Sequence, residues 1–125
     1  MKILVFIVFF SLLFINNSVA QIKVLSIEKL PIEKTHQWMQ PKFSPDGRTI
    51  YYTSQSYTGI WAYSLETKKV EMITGSSSAG FGFAISDDGK QIAYRQTIWG
   101  PKQGERKQEI VLYNKETKER KVIAA

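Results

Sequence analysis

The chain has 125 residues, of which 43% are hydrophobic and none is cysteine, and its formal net charge is +6 at pH 7. This length and hydrophobic content are typical of one folded domain and exclude a disordered chain. The lack of cysteine excludes disulfides and thiolate zinc sites, so packing alone must hold the fold together.

The first twenty residues have the pattern of a cleaved export signal. A positive charge at Lys2 precedes the apolar run Ile3–Ile15, and small residues stand at Ser18 and Ala20, where a signal peptidase cuts. The alternative is a membrane anchor, but the run is shorter than the roughly 20 apolar residues that a spanning helix needs. We therefore predict a signal peptide over residues 1–20, a mature chain in the periplasm or outside the cell, and no stable membrane span after cleavage.

Residues 22–30 are predicted to form a lone strand at the start of the mature chain, residues 21–125. The sequence IEKL at 27–30 matches VEMI at 70–73, which lies in the last strand of a later repeat. We expect the lone strand to complete the last sheet of a longer polypeptide, in the way that rings of repeated sheets commonly close.

Two copies of one pattern follow, FSPDGRTIYY at 43–52 and ISDDGKQIAY at 85–94, displaced by 42 residues. The match resumes with a displacement of 50 residues, which pairs Tyr63 with Tyr113 and ETK at 66–68 with ETK at 116–118. The second copy therefore carries eight extra residues, placed between Tyr94 and Ile110. Self-similarity with such a period indicates a repeat architecture.

Each copy predicts four short antiparallel strands, and no sustained helical period occurs after residue 20. An Asp-Gly pair supplies a tight turn after the first strand, and the next strands are rich in β-branched and aromatic residues. In IWAYS at 60–64 both faces of the strand are apolar, which predicts a sheet that is covered on both sides. Such sheets, stacked on one another, predict an all-β fold of β-propeller blades over 38–74 and 81–124. Two blades with one extra strand form an incomplete ring.

The sequence PKFSPDGRTIYYTS at 41–54 resembles the SPDG-type repeat of the TolB-like β-propellers, a WD-like repeat. The second copy departs from the repeat, because Phe83 replaces the first proline and Asp87 the second. The resemblance implies the propeller fold and leaves the activity open. Such repeats occur in the periplasmic TolB component of the Tol–Pal system, in propellers that precede the hydrolase domain of prolyl-oligopeptidase-like serine peptidases, and in pectin-degrading lyases. Closed rings have about 4 to 8 blades, so we expect this chain to be an N-terminal piece of a longer protein or a shortened reading frame.

No catalytic, cofactor or metal site is predicted. The serines in GSSSAG at 75–80 lack the G-x-S-x-G pattern and fall in a link where a flexible loop is expected. His36 is the sole histidine, and one histidine without a matching acid or nucleophile is usually a surface residue. In the pectin lyases several histidines bind a metal ion, so a single histidine also argues against such a metal site here. Asp46 and Asp88 each precede a turn glycine, and the D-x-D-x-D-G spacing of calcium loops is absent.

The eight-residue insertion marks residues 95–109 as the most individual segment. Trp99 has basic neighbours at Lys102, Arg106 and Lys107, so it could offer an aromatic anchor to a protein partner. The alternative is an extended hairpin whose Trp99 folds back onto the blade. Loops often vary without effect on function, which favours the alternative.

The charges of NKETKERK at 114–121 have mixed signs and are predicted on a turn and an outer strand, where they discourage edge pairing. Nucleic-acid binding requires a basic stripe with stacking aromatics, so it is not predicted.

We predict an exported, non-enzymatic propeller segment that acts as a protein-interaction scaffold. The alternative is the front of a serine peptidase or other hydrolase whose catalytic domain is absent from this chain. If the chain is complete, we expect it to associate with itself or to be poorly stable, because repeat folds need about three units.

Overall fold

A computed structural model describes residues 22–35 and 37–125, and every regular element in them is a β-strand. The first sheet consists of β1 (Trp38–Phe43), β2 (Thr49–Ser54), β3 (Ile60–Ser64) and β4 (Val70–Thr74). The second consists of β5 (Ala84–Ile85), β6 (Gln91–Trp99), β7 (Arg106–Asn114) and β8 (Arg120–Ala124). Strands that follow one another in the chain are antiparallel neighbours in each sheet. The predicted all-β fold of two four-stranded sheets is confirmed.

The chain divides into two compact units, Met1–Leu30 and Pro31–Ala125, and all eight strands lie in the second. The predicted lone strand over residues 22–30 is not formed. The match of IEKL to VEMI indicates suitable side chains, but a strand also needs a hydrogen-bonded neighbour. Its expected pairing with a later blade stays a prediction. The predicted signal peptide, residues 1–20, lies outside the described residues.

The two Asp-Gly turns are built alike. Gly47 and Gly89 have φ values of 69° and 70°, in the left-handed region that glycine tolerates. In each turn the aspartate accepts hydrogen bonds from the serine hydroxyl two residues before it and from the backbone N–H two residues after it. Turn formation therefore accounts for the carboxylates of Asp46 and Asp88.

These hydrogen bonds make the stability of the fold sensitive to acid. The Ser44 hydroxyl, followed by the Arg48 N–H, holds the pKa of Asp46 below its ordinary value of 3.8, and Ser86 does the same for Asp88. A carboxylate with a lowered folded-state pKa stabilises the fold above its unfolded pKa, and this contribution is lost as pH falls through the folded-state value. We expect the urea midpoint of the wild type to fall as pH drops below 3.8, and to fall less in the double variant Asp46→Asn, Asp88→Asn.

Asp87→Asn is the matched control, because this residue lies in the second turn but its carboxylate accepts no hydrogen bond from the described residues. It should leave the acid slope of the wild type unchanged. Identical slopes for the wild type and the double variant would contradict the role assigned to the two turns.

The hydrophobic core lies between the two sheets. Alternate residues of β2, β3 and β4 meet alternate residues of β6 and β7, and the link between the sheets contributes two more side chains. The members are Tyr51, Ile60, Ala62, Ile73, Ala79, Phe83, Ile92, Tyr94, Val111 and Tyr113. Polar contacts at the rim join the sheets, because Lys118 pairs with Glu71 at 2.8 Å and the Arg120 guanidinium donates to the Ile73 carbonyl. The sheets are therefore stacked face to face as neighbouring blades.

The opposite face of the second sheet is open. Ile110 and Ile123 are 37% and 53% exposed, whereas their repeat counterparts in the first sheet, Ile60 and Ile73, are 0% and 2% exposed. The sequence predicts cover on both faces of each sheet, and this face lacks it in the described part of the chain. A blade at the end of an incomplete ring has this property.

Candidate functional site

The eight-residue insertion lengthens a hairpin and adds no separate loop structure. Strands β6 and β7 each have nine residues, compared with six in β2 and five in β3. They pair without a register shift, from the pair of Gln91 with Asn114 to the pair of Trp99 with Arg106. The additional residues therefore project as a hydrogen-bonded ribbon beyond the length of the first blade.

A compact turn closes the tip of this hairpin. The Gly100 N–H donates to the Glu105 carbonyl at 2.9 Å, and the Glu105 N–H donates to the Lys102 carbonyl at 3.0 Å. Gly104 has a φ of 81°, which favours glycine, and a Cβ atom at Gly100 would lie 2.5 Å from the Glu105 side chain. The two glycines thus allow a tight, hydrogen-bonded turn.

The tip carries two exposed apolar side chains. Trp99 is 63% exposed and Ile98 is 45% exposed, so the indole is open to solvent. The extended hairpin is as predicted, but the expectation that Trp99 folds back onto the blade is wrong, because the indole is largely exposed. The role of Trp99 as a partner anchor stays a prediction. Ile98 was missed by sequence reasoning, although its place beside Trp99 in an inserted strand could have indicated it.

The three predicted cations are exposed but differ in their surroundings. Arg106 is the backbone partner of Trp99 across the hairpin, and Lys102 lies in the turn. The Lys107 ammonium is 2.9 Å from a carboxylate oxygen of Glu109, which also accepts a hydrogen bond from Gln96. These contacts lower the pKa of Glu109. Arg106 and Lys102 thus share the tip with Trp99, whereas the charge of Lys107 is partly balanced.

The serine-rich link at 75–80 is anchored to the base of the extended hairpin. The hydroxyls of Ser78 and Thr97 are 2.9 Å apart, and the Ser76 hydroxyl donates to the Gln96 side chain at 3.2 Å. The Thr97 N–H also donates to the Ser77 carbonyl. A flexible loop was expected here, but each serine of this link has a tethering contact.

Other predicted site features can be placed only in part. His36 lies outside the described residues. Within residues 22–35 and 37–125, no three His, Cys, Asp or Glu side chains gather as a metal-binding group. The same residues contain no helix of the length and apolar character that a membrane crossing requires.

No family model and no curated protein matches the sequence. Its fold resembles those of several solved structures, among them two crystal structures. That of the tricorn protease has a TM-score of 0.64 and 23% identity over 74% of this chain and 9% of that chain. That of TolB from Acinetobacter baumannii has a TM-score of 0.56 and 23% identity over 71% of this chain and 21% of that chain. Likeness at this level of identity shows the fold alone, and the chain is accordingly a β-propeller segment of two blades.

Proposed function

We propose that the chain is an exported, TolB-like propeller segment that acts as a non-enzymatic scaffold for protein contacts. The contact surface is the hairpin tip, formed by Trp99, its cross-strand partner Arg106 and the turn residue Lys102. Ile98 lies on the opposite face of the ribbon. The observation that carries this proposal is the 63% exposure of Trp99 at the end of a paired ribbon. Aromatic and arginine side chains dominate the binding energy of many protein interfaces.

The hairpin restricts the position of the anchor before a partner arrives. Nine consecutive residue pairs hold the two strands, and turn hydrogen bonds close the end. A contact group that is already ordered loses less conformational entropy when it binds. The cations at the tip would favour a partner with an acidic rim, because complementary charge mainly increases the association rate.

The peptidase alternative gains no support from the resemblance to the tricorn protease, since that resemblance concerns the fold alone. Scaffold and peptidase propellers share their architecture. The exposed hairpin tip is the feature that favours the scaffold role.

Replacing Trp99 with alanine should reduce capture of the partner by about tenfold or more, because removal of an aromatic hot spot commonly costs 2 kcal/mol or above. The purified chain would be immobilised and exposed to an envelope extract of the producing organism. Retained proteins would be identified and quantified by mass spectrometry. The thermal midpoint should not change, since the side chain lies largely in solvent.

Phe43→Ala is the matched control, because Phe43 is also 63% exposed and lies in β1 of the first sheet. It should capture the same protein as the wild type. Equal capture by wild type and Trp99→Ala would refute the role of the tip. Equal losses in both variants would reveal adsorption to exposed aromatics and would also refute it.

A further inference from the structure

The first blade contains a cavity at the edge where β1 begins and β2 turns into β3. Its volume is about 530 Å³. It is lined by Trp61 of β3, Ser54 at the end of β2, the loop residues Gln55, Ser56 and Thr58, and Thr35 and Gln37 before β1. Small-molecule sites commonly have volumes of about 300–1,000 Å³. We name it the Trp61 cavity, and it is separate from the hairpin tip, which belongs to the second sheet.

The lining combines one aromatic ring with amides and hydroxyls. Every described residue that lines the cavity is uncharged at neutral pH. Anionic ligands are usually held by arginine, lysine or backbone N–H clusters, and purely apolar ligands by aliphatic walls. A neutral ligand with many hydrogen-bonding groups suits this lining better than either.

The walls of the cavity are held in place by the fold. The Ser54 hydroxyl lies 2.9 Å from the Thr58 carbonyl, to which it donates, and 3.1 Å from the Ser56 hydroxyl. The Gln55 N–H donates to the Gln37 carbonyl at 2.9 Å, which ties the end of β2 to the residue before β1. The backbone around the cavity is therefore ordered before a ligand enters, which lowers the entropic cost of binding.

Two amide groups on this wall have unused hydrogen-bonding capacity. The side chains of Gln37 and Gln55 are exposed, and neither forms a hydrogen bond with another described residue. Each amide has two donor hydrogens and one acceptor oxygen. They can therefore satisfy a ligand that presents both hydroxyl donors and hydroxyl acceptors.

The indole of Trp61 is half-buried and braced from within the blade. Tyr52 stacks with it at a centroid distance of 6.4 Å, and the Trp38 ring meets it edge-on at 4.9 Å. These contacts restrain the orientation of the ring, part of which lines the cavity. An aromatic face held in this way can pack against the apolar C–H surface of a sugar ring.

We propose that the Trp61 cavity binds a neutral oligosaccharide. A sugar ring has an apolar C–H face, which packs on Trp61, and a rim of hydroxyls, which exchange hydrogen bonds with Gln37, Gln55 and Thr58. The absence of charge among the described lining residues makes binding independent of salt. This site does not depend on the scaffold role of the hairpin tip.

The test is an NMR titration of the purified chain with maltotriose, cellotriose and tri-N-acetylchitotriose, followed through the three indole N–H signals. At least one trisaccharide should shift the Trp61 signal in a saturable way and leave the Trp99 signal unchanged. Gln55→Ala and Gln37→Ala should each weaken this binding by about 3- to 10-fold, the usual effect of one lost hydrogen bond. Gln103→Ala, which removes an exposed amide in the hairpin turn, should bind like the wild type.

The glutamine variants keep the sheet intact, because only their exposed side chains change, and their thermal midpoints would verify this. Three outcomes overturn the proposal. The first is no saturable shift of Trp61 with any of the three sugars, and the second is equal shifts at Trp61 and Trp99. The third is tighter binding of another class of ligand than of any neutral sugar: either salt-sensitive binding of the anionic tri-galacturonate, or binding of a neutral tripeptide.

Discussion

Replacing Phe83 with alanine should lower the free energy of unfolding by about 3–5 kcal/mol, the usual cost of removing a buried phenylalanine ring. Phe83 is fully buried in the core between the blades and belongs to neither sheet. The Lys42 ammonium lies 4.7 Å from the ring centroid and donates to the Phe83 carbonyl. Loss of the ring would leave a cavity between two sheets, and neither can close it without breaking its own strand pairing.

Urea denaturation followed by tryptophan fluorescence would measure this change. Phe43→Ala should alter the free energy of unfolding by less than about 0.5 kcal/mol, since Phe43 is 63% exposed. Similar costs for the two substitutions would mean that the blades do not share a packed core in solution. A single transition in the wild type that becomes two transitions in Phe83→Ala would show that the ring couples the blades.

The repeat in the sequence was sufficient to predict most of the fold. The Asp-Gly turns at 46–47 and 88–89 fix where two hairpins reverse, and the apolar strand IWAYS at 60–64 indicates a sheet inside a stack. The strand predicted over 22–30 is not formed in this structure, because a match to a repeat cannot supply the neighbouring strand that it needs, and its pairing with a later blade stays a prediction. The bulge between Met39 and Lys42 was also beyond prediction, since it depends on a left-handed φ at Gln40.

Less of the candidate site could be predicted. The position and length of the insertion identified residues 95–109, but the exposure of Trp99 depends on how far the strands stay paired. An unbroken register moves the indole beyond the blade, whereas an earlier turn would have placed it on the sheet. The sequence also places Trp61 in the core, and it does not indicate that part of this ring lines a cavity. The cavity is lined by residues near the start of β1 and by a loop that lies 17 or more residues later, and no local motif predicts that these two segments meet.

Replacing Gly80 with alanine should lower the free energy of unfolding by about 3 kcal/mol, at the upper end of the usual cost of overpacking. A Cβ atom at Gly80 would lie 1.8 Å from the Thr53 hydroxyl oxygen and 2.3 Å from its Cβ. Thr53 is fully buried, and its hydroxyl donates to the Gly59 carbonyl at 2.7 Å, so it cannot move aside at low cost. The Gly80 N–H is bonded to the Tyr57 carbonyl, which restrains the backbone from retreating.

Gly75→Ala, in the same link, separates this steric effect from the general effect of replacing glycine. The nearest atom to a Cβ at Gly75 is the Met72 sulfur at 3.9 Å, an ordinary contact. This variant should raise the free energy of unfolding slightly, by less than about 1 kcal/mol, because alanine restricts the unfolded chain. The thermal midpoint should fall by about 4–8 °C for each kcal/mol lost in Gly80→Ala. Equal midpoints for the two variants would mean that the link does not approach Thr53 in solution, and that the serine tethers do not hold the second blade against the first.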